Sequence, residues 1–469
     1  MLSVTCETHS RSIFMGYPEP MWSNVKPTGI SRLPQELIDL IVDNLSRDAI
    51  ALRSCSFVCR AWLKQCRHHL FGLLRVRDTQ VRTSLRSRPI LQERFQAFLT
   101  FITTVASPGF CAKVHTLCLL GNEERLERQA PESFISAHML AAILGQLPRV
   151  RILELNRVNF TPLPTEPRTP IILPLGKVKL DVLSIGRIGL EEHSPDGLFS
   201  VLGLFSTLGM LRVSYLETPR NVPTPAELTR LLERLQVHRF SLKGHSSMMP
   251  APSRTMPYML KVLLNSNSVH TLQSVEIKCC TMDQIQALGQ LVRETESHLR
   301  SIAVDISDIA KGSNDFQGVV DMLGLRTCSG LRNLRLQVFP NEEDPASHLW
   351  LRASHFLVAI LSSASPTLTT LTVVLQYHDV LLKNCMMADW ESLRHIGGGL
   401  GWHRYTNLKA VVFALMPRCS DHSVEYEAKH HITVQMSDLA RSGVLKFTTT
   451  VSCRFVPPPP PFLSFRLVD

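Results

Sequence analysis

The 469-residue sequence lacks a long uninterrupted apolar run. Two stretches, Phe95–Ala112 and Ala353–His378, contain no Asp, Glu, Lys or Arg. Ser107-Pro108-Gly109 breaks the first, and the Ser- and Pro-containing segment Ser362–Pro366 breaks the second. Since neither stretch can continue as one apolar helix of about 20 residues, each is predicted to be a core helix followed by a turn and a strand. No membrane partner is predicted.

A signal segment and a regular cysteine framework are also missing. The N-terminus has no charged region followed by an apolar one, and the 12 cysteines show no short repeating spacing. These absences argue against a secreted, disulfide-stapled protein. Reduced thiols are therefore expected, in the cytoplasm or the nucleus.

Acidic residues are scarce in one part of the chain. The formal net charge is +10, and residues 51–100 hold ten Lys or Arg against only Asp78 and Glu93. Such a segment could contact phosphates or an acidic partner. Because no aromatic residue lies among the cations from Arg75 to Arg94, a solvated face is favoured over base stacking. Nucleic-acid binding through Arg82, Arg86 and Arg88 is kept as a less favoured alternative.

Complete catalytic motifs are absent. The glycine-rich Gly397–Gly401 lacks the last glycine of a dinucleotide loop, and Gly176-Lys177-Val178 lacks the Ser or Thr of a phosphate loop. Gly244-His245-Ser246 lacks the closing glycine of a nucleophile elbow, and no His-Glu-x-x-His occurs. Cys279 and Cys280 are predicted on a strand, where neighbours point to opposite faces. No cofactor, metal ligand or catalytic residue is predicted, and the chain is expected not to be an enzyme.

An ordered helical module is predicted to begin after a mobile tail over residues 1–30. Pro34 suits the first position of a helix, and Glu36 suits its first turn. Apolar residues follow at four-residue spacing, with two more beside them, as one stripe over three turns. The stripe consists of Leu33, Leu37, Ile41 and Leu45, with Ile38 and Val42 beside them.

Two further short helices are predicted in the same module. Asp48 can cap a helix over Ala49–Ser56, and a third helix is expected over Val58–Leu70 with Trp62 on its apolar side. Three short helices cannot bury all of these apolar faces by themselves. A partner, or the rest of the chain, must cover part of this surface.

Thiols and imidazoles in this module raise the question of a metal site. The residues concerned are Cys55, Cys59, Cys66, His68 and His69. They contain no Cys-x-x-Cys pair, and their spacing fits no structural zinc motif. Buried thiols in a small core are the favoured interpretation.

These residues resemble a known family. Leu33-Pro34-x-Glu36-Leu37, Ile41, Leu45, Leu52 and then Val58-Cys59-Arg60-x-Trp62 look like the F-box motif, which here covers about 40 residues. The resemblance implies docking onto the adaptor subunit of a cullin–RING (SCF-type) ubiquitin ligase. Leu33 and Pro34 would lie at the adaptor interface, with the other motif residues forming or lining the packed helices beneath. The adaptor-binding set is Leu33, Pro34, Glu36, Leu37, Ile41, Leu45, Val58, Cys59 and Trp62. The alternative is a helical hairpin without a docking role.

The rest of the chain repeats an apolar triplet with the spacing L-x-x-L-x-L. Ten triplets start 27 to 40 residues apart, and this quasi-regular interval predicts a repeat array. They are Val114-Leu117-Leu119, Val150-Leu153-Leu155, Leu180-Leu183-Ile185, Leu208-Leu211-Val213, Val237-Phe240-Leu242, Leu272-Val275-Ile277, Leu299-Ile302-Val304, Leu331-Leu334-Leu336, Leu368-Leu371-Val373 and Leu408-Val411-Phe413.

Helical segments separate these strands. Helices are predicted from Thr224, from Thr281, over Ser133–Leu147 and over Ser347–Leu361. A strand and a helix in each repeat predict an α/β solenoid, with parallel strands on its concave face and helices on its convex face. The array resembles the degenerate leucine-rich repeats of many fungal F-box proteins, because only Cys280 fills the position of their usual Asn or Cys. An unrelated doubly wound sheet is the alternative.

The predicted organisation has four parts: a disordered tail (1–30), an F-box domain (31–75), a leucine-rich-repeat-like solenoid (76–445), and a closing strand with a proline-rich tail (446–469). The family resemblance implies a receptor that binds the adaptor, and through it the cullin, and also holds a protein substrate. Candidate substrate contacts are the strand residues between the apolar ones, namely Glu154, Glu276, Arg300, Arg332 and Arg335. A scaffold that binds proteins without directing ubiquitination is the other alternative.

Overall fold

The structure is a computed structural model that divides into two compact units. One unit comprises Met1–Leu204 with Phe455–Asp469, and the other comprises Phe205–Arg454. The residues described are 3–7, 33–46, 48–77, 93–121, 133–161, 178–188, 196–216, 232–243, 255–279, 281–307, 316–338, 355–356, 358–377, 405–417, 422–449 and 464–468. Within these ranges, no helix combines the length and the apolar character needed to cross a bilayer.

The first unit begins with short helices and continues with strands and helices in alternation. Its helices are α1 (Gln35–Asn44), α2 (Ala49–Ser56), α3 (Arg60–Gly72), α4 (Glu93–Thr100), which continues as a π-helical turn (Phe101–Val105), α5 (Pro108–Cys111), α6 (Ala137–Gln146) and α7 (Asp196–Leu202). Its strands are β1 (Ser3–Glu7), β2 (Leu73–Arg77), β3 (Thr116–Leu120), β4 (Ser133–Ser136), β5 (Ile152–Asn156), β6 (Val158–Thr161), β7 (Val178–Ile188) and, near the C-terminus, Ser464–Val468.

Four strands of this unit pair in the order in which they occur along the chain. β2, β3, β5 and β7 are parallel, and each is hydrogen-bonded to the next. Ser464–Val468 pairs parallel with β2 and antiparallel with β1, which lies in the segment predicted as a mobile tail. β4 and β6 form a separate parallel pair.

The second unit has the same alternation. Its strands are β8 (Phe205–Leu216), β9 (Gln236–Val237), β10 (Arg239–Lys243), β11 (Ser274–Lys278), β12 (Ser301–Asp305), β13 (Asn333–Val338), β14 (Thr370–Tyr377), β15 (Ala410–Pro417) and β16 (Leu445–Thr449). The C-terminal strand of the first unit, Ser464–Val468, is labelled β17. Its helices include α8 (Thr255–Leu264), a 3₁₀ turn (Asn267–His270), α9 (Met282–Glu294), α10 (Phe316–Leu323), α11 (His422–Gln435) and α12 (Ser437–Arg441).

The strands of the second unit also pair in chain order. β8, β10, β11, β12, β13, β14, β15 and β16 are parallel neighbours, and β9 adds to β8. A doubly wound sheet would reverse its strand order midway. Among the described strands, the order is not reversed in either unit, so the doubly wound alternative is wrong.

The ten apolar triplets fill the core behind these strands. Each triplet begins just before or within one strand, and every member except Leu408 is buried. Register is kept from strand to strand. Val275, Ile302, Leu334, Leu371 and Val411, for example, lie opposite one another in turn. The prediction of parallel strands at these positions is confirmed.

An eleventh triplet, which sequence reasoning missed, joins the first helices to the sheet. Phe71, Leu74 and Val76 have the same spacing, and Leu74 and Val76 pair with Leu117 and Leu119 of β3. Helix α3 ends at Gly72 and β2 begins at Leu73, so no loop separates them. The backbone N–H of His115 donates to the Gly72 carbonyl at 2.9 Å. The helices that precede β2 are therefore attached directly to the sheet of their unit.

Several helix predictions can be compared with the structure. Thr281 caps α9 through a reciprocal hydrogen-bond pair with Gln284, as expected for a helix that starts there. Gly443 follows α12 with φ 70°, the left-handed conformation in which a glycine commonly ends a helix. The helix predicted over Ser133–Leu147 is wrong in its first turn, because Ser133–Ser136 forms β4 beside β6 and the helix starts at Ala137.

Some sequence predictions lie outside the described residues. They concern the helix start at Thr224, the N-terminal part of the predicted helix Ser347–Leu361, Cys280, and the proline run Pro457–Pro461. The incomplete motifs at Gly176-Lys177, Gly244–Ser246 and Gly397–Gly401 also lie outside them, as do Arg82, Arg86 and Arg88.

Candidate functional site

Pro34 and Asp48 set the starts of helices α1 and α2. Pro34 has φ −53° and ψ 145° and immediately precedes α1, one position earlier than the sequence predicts. Its carbonyl oxygen accepts hydrogen bonds from the N–H groups of Leu37 and Ile38. Asp48 begins α2 by accepting from the N–H groups of Ile50 and Ala51 at 3.0 and 2.9 Å, which confirms the predicted cap.

A small core holds helices α1, α2 and α3 together. Ile38, Val42, Leu52, Trp62 and Cys66 are buried against one another. Leu45 and Cys59, both predicted adaptor-binding residues, are partly buried and pack against this core. Trp62, a third member of that set, lies within it and is 9% exposed. These three residues shape the module from inside.

Other predicted adaptor-binding residues lie on the surface of the module. Leu33, Leu37, Ile41 and Val58 are exposed, as are Pro34 and Glu36. Leu37 and Ile41 lie four residues apart and share one side of α1, and Leu33 lies just before the start of that helix. The predicted apolar stripe is therefore divided, because Ile38 and Val42 turn inward while these three turn outward.

Three further exposed apolar residues of the module were not predicted. Leu40 is 59% exposed, Ile50 is 58% exposed and Phe57 is 75% exposed. Leu40 follows Leu37 by three residues, a spacing that could have placed it on the same side of α1. We call the exposed residues Leu33, Leu37, Leu40, Ile41, Ile50, Phe57 and Val58 the apolar docking surface. Exposed apolar groups concentrated in so short a segment are typical of an interaction site.

Side-chain hydrogen bonds connect α1 to α3. Asp43 Oδ1 lies 2.7 Å from His69 Nε2 and accepts from Gln65 Nε2 at 2.9 Å. The hydrogen bond from His69, then that from Gln65, lowers the pKa of the Asp43 carboxyl below its ordinary 3.8. Burial lowers the pKa of His68, whose ring lies 5.8 Å from that of His115, centre to centre.

The thiols of this module serve as core groups. Burial raises the pKa of Cys66 to about 11, which disfavours the thiolate that a metal ligand or nucleophile requires. Among the described residues, no group of three His, Cys, Asp or Glu side chains is arranged to hold a metal ion.

The candidate substrate contacts lie on the sheets of both units. Glu154 belongs to the first unit, is half-buried, and accepts a hydrogen bond from the Cys118 thiol at 3.2 Å. Glu276 on β11 is exposed and accepts from Ser241 Oγ at 2.9 Å. Arg300, Arg332 and Arg335 are exposed on or just before β12 and β13. The three arginines therefore form one group, whereas the two glutamates are each held by a neighbouring side chain.

The helical module also matches a known family model. Residues 30–74 match the F-box domain, a range that includes α1, α2, α3 and the first residues of β2. A search of curated proteins found no match for the chain. The chain therefore carries an F-box domain, an adaptor-binding module typical of SCF substrate receptors, and the docking surface lies within it.

Proposed function

We propose that this protein is the substrate-recognition subunit of an SCF-type ubiquitin ligase. In this proposal the F-box domain binds the ligase adaptor, and through it the cullin, while the strand-bearing remainder holds a protein substrate. The chain itself catalyses no bond formation. It brings the substrate's lysines close to a conjugating enzyme recruited by the rest of the ligase, which raises their effective concentration.

The apolar docking surface is the observation on which the proposal depends. Its side chains lie in water although the small core beneath them is already filled by Ile38, Val42, Leu52, Trp62 and Cys66. Covering one large apolar side chain completely contributes about 1.5–3 kcal/mol, so a partner that covers several of them gains substantial binding free energy. The match of this segment to the F-box domain supports an adaptor as that partner.

The remainder of the chain is proposed to be a leucine-rich-repeat-like array. Two observations support this: parallel strands pair in chain order within each unit, and ten apolar triplets, buried except for Leu408, recur along β3, β5, β7, β8, β10, β11, β12, β13, β14 and β15. Successive repeats that pack mainly on their neighbours give a long exposed sheet face. Such a face suits a protein substrate better than a small molecule.

Adaptor binding can be tested on the full chain with surface variants. We expect Leu37→Asp combined with Phe57→Asp to abolish co-purification with the adaptor, because two charges would be buried at the interface. The matched control is Val434→Asp in α11, whose parent side chain is 59% exposed outside the F-box domain. Circular dichroism checks that each variant remains folded. Equal adaptor recovery by the double variant and the control would refute the docking assignment.

A second measurement separates a ligase receptor from a scaffold. Proteins that co-purify with the wild type are quantified in cells carrying either the wild type or the Leu37→Asp, Phe57→Asp variant. For a receptor, at least one bound protein accumulates when adaptor docking is lost. For a scaffold, the abundance of all bound proteins stays the same.

A further inference from the structure

The sheet face opposite the core of the second unit is open where the strands begin, whereas Asp305, Val374 and Ala414 farther along it are buried. On β12, Ile302 and Val304 are buried, so Ser301 and Ala303 face away from the core. On β13, Leu334 and Leu336 are buried in the same way, and Arg335 is exposed. Strand register places Arg335 directly beside Ala303 and Thr372. The flanking side chains are short, so the arginine stands above its neighbours.

Cations recur along the edge at which these strands begin. Arg300 and Arg332 occupy equivalent places before β12 and β13, where the Arg332 N–H donates to the Arg300 carbonyl at 2.9 Å. Lys409 has the equivalent place before β15 and donates its N–H to Thr369 at 2.8 Å. Lys446 on β16 lies in register with Val412. We call Arg300, Arg332, Arg335, Lys409 and Lys446 the basic strip, and all five are exposed.

Acidic side chains do not neutralise the strip within the described strands. The only carboxylate on β12–β16 is Asp305, which is buried and accepts hydrogen bonds from the N–H and hydroxyl of Ser307. Glu294 ends α9 and Glu296 lies in the turn before β12, and in the described part of the chain neither forms an ion pair with the strip. Five exposed cations therefore share this face of the described strands with one exposed carboxylate, that of Glu276 on β11, which lies in register with Ala303 and accepts a hydrogen bond from Ser241 Oγ.

We infer that the basic strip binds an extended acidic segment of the protein substrate. This inference rests on the proposed function and adds the chemical class of the segment that is recognised. The strip spans five neighbouring strands, or four strand spacings of ~4.8 Å, which is ~19 Å in all. That length matches about six extended residues. A single phosphate group is too small to contact cations spread over this distance, whereas a run of Asp and Glu places carboxylates along it.

Fluorescence anisotropy on the purified full chain tests this inference. The probe is a labelled peptide with six consecutive glutamates, and its neutral counterpart has six glutamines. The strip variant is Arg300→Gln, Arg332→Gln, Arg335→Gln. Its matched control, Arg149→Gln, Arg151→Gln, Lys179→Gln, removes three exposed cations from the first unit. We expect the strip variant to bind the glutamate peptide about tenfold more weakly or worse, with little change for the control.

Four outcomes would overturn the inference. They are equal binding of the glutamine peptide, equal loss in both triple variants, tighter binding of a peptide whose only charge is one phosphoserine, and tighter binding of a single-stranded oligonucleotide. The Leu37→Asp, Phe57→Asp variant keeps the strip intact and should bind the glutamate peptide as the wild type does. A chain that binds this peptide through the strip but takes up no adaptor would refute the proposed function alone. A chain that takes up the adaptor but does not bind this peptide through the strip would refute only the inference about the basic strip.

Discussion

Asp43 Oδ1 lies 2.7 Å from His69 Nε2 across helices α1 and α3 of the F-box domain. This contact lowers the pKa of the Asp43 carboxyl and lies beside the core that fixes the docking surface. The three helices are small, so a hydrogen-bonded contact between two of them helps to fix the position of the exposed apolar residues. The stability of the domain should therefore depend on pH.

Acid is expected to weaken the F-box domain in two steps. Burial lowers the pKa of His68, so the unfolded chain binds a proton more readily, and stability begins to fall as the pH drops through 6.5. Because the folded pKa of Asp43 is below 3.8, its contribution is full above that value and is lost as the pH falls through the folded pKa.

Hydrogen exchange of peptides covering residues 33–72 measures this effect, with intrinsic exchange rates corrected at each pH. Asp43→Asn should reduce protection at pH 7 relative to the wild type, and the difference should close as the pH falls below 3.8 and through the lowered pKa of Asp43. Asp39→Asn is the control, since Asp39 contacts only Gln35 of its own helix among the hydrogen bonds described. If the difference in protection between Asp43→Asn and the wild type persists unchanged in acid, the pH effect does not come from the Asp43 carboxylate.

Trp62 and Phe57 should separate folding from docking. Trp62 is in the core, and Trp62→Ala is expected to cost about 3–5 kcal/mol in the stability of the F-box domain. Phe57 is mostly exposed, so Phe57→Ala should change the stability by less than about 0.5 kcal/mol. Urea-dependent hydrogen exchange gives both values. A large loss of stability for Phe57→Ala would show that Phe57 is packed in the free chain.

Gly289 lies at a close contact between helices α9 and α10. A Cβ at Gly289 would overlap the carbonyl oxygen of Met322. We expect Gly289→Ala to destabilise the second unit by about 1–3 kcal/mol or more, because the helices would have to move apart. Gly145→Ala in α6 is the control, since nothing lies within 4 Å of its added methyl group. That substitution should stabilise its helix by up to about 1 kcal/mol.

The Cys118 thiol should be inert in the folded chain. Burial, followed by the nearby Glu154 carboxylate, raises its pKa to about 12. At pH 8, iodoacetamide should therefore leave Cys118 unmodified in the native chain and modify it in urea, as followed by mass spectrometry of its tryptic peptide. Glu154→Gln should increase the native rate by lowering that pKa. Equal rates in native and unfolded chains would contradict the burial of this thiol.

The strands were predictable because burial repeats with a fixed spacing. Each triplet, such as Leu272, Val275 and Ile277, occupies consecutive inward positions of one repeat, so apolar character alone marks it. The triplet at Phe71 was missed because Phe71 itself lies in helix α3, while Leu74 and Val76 lie in β2. The pairing of β1 with β17 depends on residues more than 450 positions apart, a separation that no local pattern reports.

The docking surface was only partly predictable. Ile38 and Val42 face the core while Leu37 and Ile41 face water, although all four are large aliphatic residues. Sequence cannot assign these two sides, because the division depends on where α2 and α3 pack. Phe57 was missed for the same reason, since a phenylalanine at the end of a helix is normally expected to be buried. Likewise, Lys409 and Lys446 join Arg335 only through strand register.

Because α3 continues directly into β2, no flexible linker separates the F-box helices from the sheet of their unit. Gly72 ends the helix and Leu73 starts the strand, and the rings of Phe71 and Phe110 add an edge-to-face contact 5.3 Å apart at this junction. A displacement of the F-box domain therefore displaces β2 as well. Inserting a few glycines and serines between Gly72 and Leu73 would replace this direct connection with a flexible linker. If the chain is the substrate receptor proposed above, the lysines of a bound protein would then no longer be held at a fixed position relative to the adaptor.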